Sequence, residues 1–190
     1  DGSPKETDKP PASSDVVNAS KLQSPSITPE QDAEYMKAAE SGDLETAQRM
    51  VDEAAKAAGY DTKAFHGTSG NWDAFDAKRI GTVQRQDFGK GIYLAPEWRK
   101  NDAEMYARQA SETTGKPSKV LELWVKTGRV LQGANYAEEG SNLTGVARER
   151  GYDSVIVKYD RGEGRLGKVS EIIVLNPNQI KSADPITRDA

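Results

Sequence analysis

Over residues 1–27, "DGSPKETDKPPASSDVVNASKLQSPSI", apolar positions recur with neither a helical nor a strand period, and Pro, Ser, Lys and Asp dominate. A stretch with so little apolar surface to bury reads as a flexible leader. The pattern changes at "TPEQ". Thr28 can cap a helix, Pro29 suits its first position, and Gln31 stands where a capping box wants Glu or Gln. A helix is predicted from there to about Glu40, with a break at Ser41-Gly42. A second helix from Asp43 places Leu44, Ala47, Val51, Ala54, Ala55 and Ala58 on one face and ends at Gly59. Two amphipathic packing helices account for that pattern.

From Lys63 onward the period shortens. "KAFHG" reads as a short strand that His66 closes, followed by "GIYLA", "KVLELWVK", "SVIVK" and "EIIVL". Helices are predicted at about Pro96 to Ser111 and from about Ser141 to Arg150, the latter ending on Gly151. This order is irregular rather than alternating, which favours an α+β fold with an antiparallel or mixed sheet over a doubly wound one. No internal repeat is present. The domain plan is a leader over 1–27 and a single domain over 28–190, with a helical lead-in (28–60) and a core (61–185).

Composition narrows the function classes. At 190 residues the chain can form one domain with a tail. A net charge of −4 with 29% charged residues argues against a strongly basic nucleic-acid surface, though not against a local patch. No apolar run approaches the about 18 residues of a membrane span. The absence of cysteine and the single histidine remove thiolate zinc and histidine-rich metal sites, so no metal is expected. A start at Asp1, without Met or a signal-type apolar segment, is expected of a piece of something longer.

Gly162, Gly164 and Gly167 in "GEGRLGKV" match G-x-G-x-x-G. The dinucleotide version of that motif needs a helix to follow, and here "KVSEIIVLN" reads as a strand. The protein-kinase version needs a catalytic loop and a metal-binding aspartate beyond it, for which the 23 residues after Gly167 are too few. An exposed hairpin loop is the expectation.

Chemistry gathers elsewhere. His66 in "AFHGTSG" is followed by Gly67, where backbone can approach a ligand, and by Thr68 and Ser69 with their hydroxyls. In "DFGKGIYLA", Gly89 and Gly91 precede a strand that carries Tyr93. Tyr106 lies in the next helix on the face of Ala103, Ala107 and Ala110. Two tyrosines from different elements can stack on either side of a flat ring, and they can equally be core aromatics. Glu171 in "KVSEIIVLNPNQIKSA" falls, by strand alternation, on the face of Ile173 and Leu175. A carboxylate there is costly unless it is paired or used, which makes it a functional candidate.

"HGT" with His66, "FGKGIYLA" with Tyr93 and "SEIIVLNPNQIKSA" with Glu171 resemble, in order and spacing, the His-Tyr-Glu signature of the diphtheria-toxin and poly(ADP-ribose) polymerase class of ADP-ribosyltransferases. The resemblance covers about Ala33 to Ala183. With the lead-in "AEYMKAAESGDLETAQRMVDEAAKAAGYDTKAFHGT", it is closest to ADP-ribosyltransferase domains of bacterial and phage polyvalent proteins.

The resemblance implies a split, twisted, mixed β-core with flanking helices and the N-terminal helical pair alongside, holding NAD in the cleft between its halves. It implies that His66 holds a hydroxyl of the adenosine-side ribose, that the Gly67 backbone pairs with the nicotinamide carboxamide, with Thr68 beside it in the cofactor set, and that Tyr93 and Tyr106 sandwich the nicotinamide ring. Glu171 is implied to bond the 2′-hydroxyl of the nicotinamide ribose. Two departures stand out. Where the polymerases carry a serine that bonds the nicotinamide amide, this chain has Ala103, and the Tyr93-to-Tyr106 spacing is a little longer. Arginine-modifying toxins carry Glu-x-Glu, but the residue two before Glu171 is Val169, which argues against arginine as acceptor.

The function expected is therefore NAD-dependent mono-ADP-ribosyl transfer to a macromolecule, with a protein acceptor favoured over nucleic acid, by a monomeric effector or toxin domain delivered into a target cell. An immunity or antitoxin protein is an expected partner, and a membrane is not. Lys158, Arg161, Arg165 and Lys168 in "KYDRGEGRLGK" carry the nucleic-acid alternative, diluted by Asp160 and Glu163. A non-catalytic NAD-binding or virion structural module is the alternative from another class, and the intact trio argues against it.

Overall fold

The computed structural model describes residues 28–70, 87–133, 141–159, 165 and 167–185. The predicted leader lies outside the described residues, as do Gly162 and Gly164. Helix α1 (Pro29–Ser41) starts at the foreseen capping box: Thr28 Oγ1 accepts the Gln31 N–H at 3.2 Å and Gln31 Oε1 accepts the Thr28 N–H at 3.0 Å. It stops at Gly42, whose φ of 74° is open to glycine at little cost. Asp43 caps α2 (Leu44–Ala57) by accepting the Thr46 N–H. The face that packs is narrower than the periodicity implied. Ala47 and Ala55 are fully buried, whereas Leu44, in the first turn, stays exposed.

The strands form two sheets. One is antiparallel, in the order β1 (Thr62–Ser69), β3 (Ser118–Val125), β7 (Ile180–Ser182). The other runs β2 (Ile92–Leu94), β6 (Val169–Val174), β5 (Ser154–Lys158), β4 (Val130–Gly133), antiparallel except for the parallel β4–β5 pair. That parallel pair is connected through α4 (Leu143–Glu149). The architecture is α+β with a mixed strand arrangement, as expected. His66 does not close β1. The strand continues to Ser69 because β3 offers eight successive pairing positions, ending at Ser69 with Ser118. Strands β4 and β7 carry no sequence signal of their own, since four and three residues are too few to show alternation. Pairing places them, β7 against the end of β3.

Strand β6 is buried on both faces, which explains its unbroken apolar run. Ile172 and Val174 join Ala64, Ile92, Leu94, Leu123 and Val125 in one cluster. Ile173 faces the other way, among Phe88, Ala147, Val155 and Val157. A reciprocal backbone bridge of 2.8 Å each way joins Phe65 of β1 to Ala95 just after β2, and at this seam the two sheets meet. Helix α3 (Lys100–Thr114), entered through a 3-10 turn at Glu97–Arg99, lies across β1. Among the described residues no helix is long and apolar enough to cross a membrane.

Candidate active site

A cleft opens at the seam between the sheets, with about 560 Å³ of empty space when the open solvent at its mouth is included. Strand β1 contributes His66 and Gly67 to its lining, β2 contributes Tyr93, β6 contributes Glu171, and α3 contributes Ala103 and Tyr106. Five of the six residues singled out from sequence therefore meet in one place. The sixth, Thr68, is buried and does not line the cleft.

His66 Nδ1 lies 2.9 Å from the Tyr93 carbonyl oxygen. A carbonyl only accepts, so Nδ1 carries the proton and Nε2 is the acceptor of a neutral imidazole. Burial holds the His66 pKa below its ordinary 6.5, against the opposing pull of that hydrogen bond, and the ring is neutral at pH 7. Beside it, Gly67 is required by packing. A Cβ there would run into the Ala103 carbonyl oxygen and lie 2.7 Å from the Ala107 nitrogen. Ala103 and Ala107 are themselves buried against β1, so the short side chain at 103 serves close helix-on-strand contact.

The "DFGKG" turn is closed by Tyr93 itself. Its hydroxyl accepts the Phe88 N–H at 3.0 Å and donates to the Gly89 carbonyl at 2.8 Å. Burial, with the charges of Glu171 and Asp87, pushes the Tyr93 pKa up to about 12, so the hydroxyl keeps the proton it donates. Gly89 adopts φ 98°, the special backbone angle anticipated there. Gly91 adopts no left-handed backbone, and is needed instead because a Cβ would strike Ile173.

Register settles where Glu171 points. Tyr93 pairs with Ile173, and Glu171 is two residues from Ile173, so the tyrosine and the carboxylate share one face of the sheet. Sequence alternation placed Glu171 correctly; the cleft is where that face ceases to be core. Tyr106 sits at the mouth, 40% exposed, with its pKa raised by burial and by the Glu171 charge.

Sequence reasoning missed Asp87, Arg99, Asp102 and Ser170, which also line the cleft. Arg99 Nη2 pairs with Asp102, a contact whose i,i+3 spacing was legible. Its Nη1 donates to the Ser170 carbonyl at 2.9 Å, a pairing across 71 positions that no local pattern signals.

The arrangement places a neutral imidazole acceptor, two phenol rings and a carboxylate around one cleft, a set suited to holding sugar hydroxyls and a flat ring. A family model described as ADP-Ribosyltransferase in polyvalent proteins matches residues 56–187. No curated protein matches the chain.

Proposed function

The chain belongs to the family of ADP-ribosyltransferases in polyvalent proteins, and from that premise we propose that it is an NAD-dependent mono-ADP-ribosyltransferase acting on a macromolecular acceptor, protein before nucleic acid, as an effector or toxin domain. The observation that carries this reading is the convergence of His66, Tyr93 and Glu171 from three different strands on one cleft.

In the proposed reaction the bond between the nicotinamide nitrogen and ribose C1′ breaks. Nicotinamide leaves with the bonding pair, and positive charge develops on the ribose. The Glu171 carboxylate, accepting from the ribose 2′-hydroxyl, stabilises that charge where it appears. His66 Nε2 accepts a hydroxyl of the adenosine-side ribose, and Tyr93 and Tyr106 flank the nicotinamide ring. The acceptor then bonds to C1′ and releases its proton to solvent. With Ala103 in place of a hydroxyl-bearing residue, the nicotinamide amide relies on the Gly67 backbone.

The test is incubation of the purified protein with labelled NAD and a cell lysate, with nicotinamide release measured alongside. Label should reach protein bands and vanish with Glu171→Gln. Undiminished transfer by that variant would remove the mechanism.

A nucleic-acid acceptor is the second reading. Its support is the approach of Lys168 to the Trp98 ring at 5.4 Å and of Arg165 to the Tyr159 ring at 5.9 Å, on the connection that leads into Glu171. Salt-sensitive labelling of DNA or RNA by the pure protein would select it.

A further inference from the structure

The start of β6 is irregular at the position that matters. Val157 faces Glu171 and Lys158 faces Val169, so Ser170 is an extra residue, the two-against-one arrangement of a bulge. On the other side, the pairing with β2 ends at Leu94 with Ile172. Glu171 is thus the first residue after the bulge, paired with Val157 on one side and one step beyond the last β2 pair on the other. The direction of its side chain follows from how the backbone at Val169 and Ser170 is held.

Two consecutive side chains of the turn before α3 hold it. Trp98 Nε1 donates to the Val169 carbonyl at 2.8 Å, and Arg99 Nη1 donates to the Ser170 carbonyl at 2.9 Å. The Ser170 hydroxyl closes the bulge from the other edge, donating to the Val157 carbonyl at 3.1 Å. The holders are held in turn. Asp102 pairs with the second Arg99 nitrogen, and the guanidinium lies 5.4 Å from the centroid of Tyr159, whose ring is 5.9 Å from that of Trp98. A planar guanidinium can serve a carboxylate and a carbonyl at once in fixed directions, which a lysine ammonium does less well.

We propose that Trp98 and Arg99 are positioning residues, whose side-chain hydrogen bonds to the two carbonyls ahead of Glu171 set the angle at which its carboxylate enters the cleft. This rests on the proposed function. Its reason is geometric: a misplacement of about 1 Å at a reacting centre can cost about 10²-fold in rate.

The experiment measures kcat and KM for nicotinamide release from NAD, with water as acceptor, on the full chain and on Trp98→Phe, Arg99→Met and Arg99→Lys. Trp98→Phe keeps an aromatic side chain and removes the indole donor, so it carries the test even should Arg99→Met unfold. Positioning predicts kcat lower by about 10-fold in Trp98→Phe and about 100-fold in Arg99→Met, KM within about twofold, and partial recovery of kcat in Arg99→Lys. Unchanged kcat in well-folded Trp98→Phe and Arg99→Met overturns it. So does a raised KM at unchanged kcat, which would make Arg99 a binding group. A wild-type chain that binds NAD and releases no nicotinamide overturns the catalytic reading instead, and so does a Glu171→Gln variant as active as wild type.

Discussion

Two carboxylates of this molecule sit near aromatic rings and cations, Asp52 against the sheet of β1, β3 and β7 and Glu171 on β6 of the other sheet. At one corner Asp52 of α2 accepts from Trp124 Nε1 at 3.0 Å, from Gln48 Nε2 at 2.9 Å and from Lys63 Nζ at 3.0 Å, while Lys63 also reaches Glu122 at 3.3 Å. Gln48 further donates to the Ala183 carbonyl, so one cluster joins α2, β1, β3 and the chain beyond β7. In the cleft, the donors near Glu171 are aimed at the backbone of its strand. At the corner the hydrogen bonds go to the carboxylate itself; in the cleft those of Trp98 and Arg99 go to the carbonyls just ahead of one. The first arrangement ties four elements together; the second is the one on which the proposed reaction depends.

Exchanging functions between the two is the sharpest way to break that contrast. Glu171→Gln should lower nicotinamide release by about 10²–10³-fold, as loss of a charge-stabilising group at a reacting centre does, with little change in Tm. A large fall in Tm would mean that Glu171 belongs with the corner type.

Gly67 stands between the two roles, since it lines the cleft and also seats α3. Gly67→Ala should destabilise by up to about 3 kcal/mol through overpacking against the Ala103 carbonyl, read by urea denaturation. A stable variant would show that α3 can shift.

For the corner, Asp52→Ala should cost about 2 kcal/mol of stability and leave turnover per folded molecule unchanged. The pH dependence has a definite sign. Burial alone would raise the Asp52 pKa, but the hydrogen bonds from Lys63, Trp124 and Gln48 hold it below 3.8. Burial likewise opposes the charged Lys63, and Asp52 with Glu122 lifts its pKa above 10.5. The corner's contribution is therefore fully present between about 3.8 and 10.5. It fades as pH falls through the lowered Asp52 value, where the unfolded chain binds the proton first, or rises through the raised Lys63 value. Stability curves of Asp52→Asn should be shallower than wild type below about 3.8, by the part of the acid limb that Asp52 contributes. His66 works in the opposite sense to a salt-bridged histidine: with its pKa below 6.5, it favours the folded state above 6.5 and disfavours it as pH falls.

The smallest effect is expected at the mouth. Tyr106→Phe keeps the ring and should bind NAD as wild type does, while Tyr106→Ala should weaken binding by about 1 kcal/mol in calorimetry. Equal loss in both variants would assign the role to the hydroxyl.

Much of the site was legible because its residues break local rules. His66-Gly67 sets an imidazole and a glycine inside a strand, Tyr93 follows paired glycines, and Glu171 occupies an apolar strand on a face that alternation identifies. The corner was not legible, because Asp52, Lys63 and Trp124 each fit their own element without strain and only contact reveals their common purpose. Arg99 and Trp98 were hidden for the same reason, being 71 positions from the carbonyls they hold.

The sequence by itself determined the capping box that starts α1, the strands β1, β2, β3, β5 and β6, the mixed α+β character and the trio of candidate residues, since capping and periodicity are set by neighbours in the chain. Only the tertiary structure decided that β1 runs on to Ser69, that β4 and β7 exist, that Thr68 stays out of the cleft, and that a bulge at Ser170 is braced by the turn before α3. Those outcomes depend on register between distant strands, and register is fixed by which edges and faces meet when the chain packs.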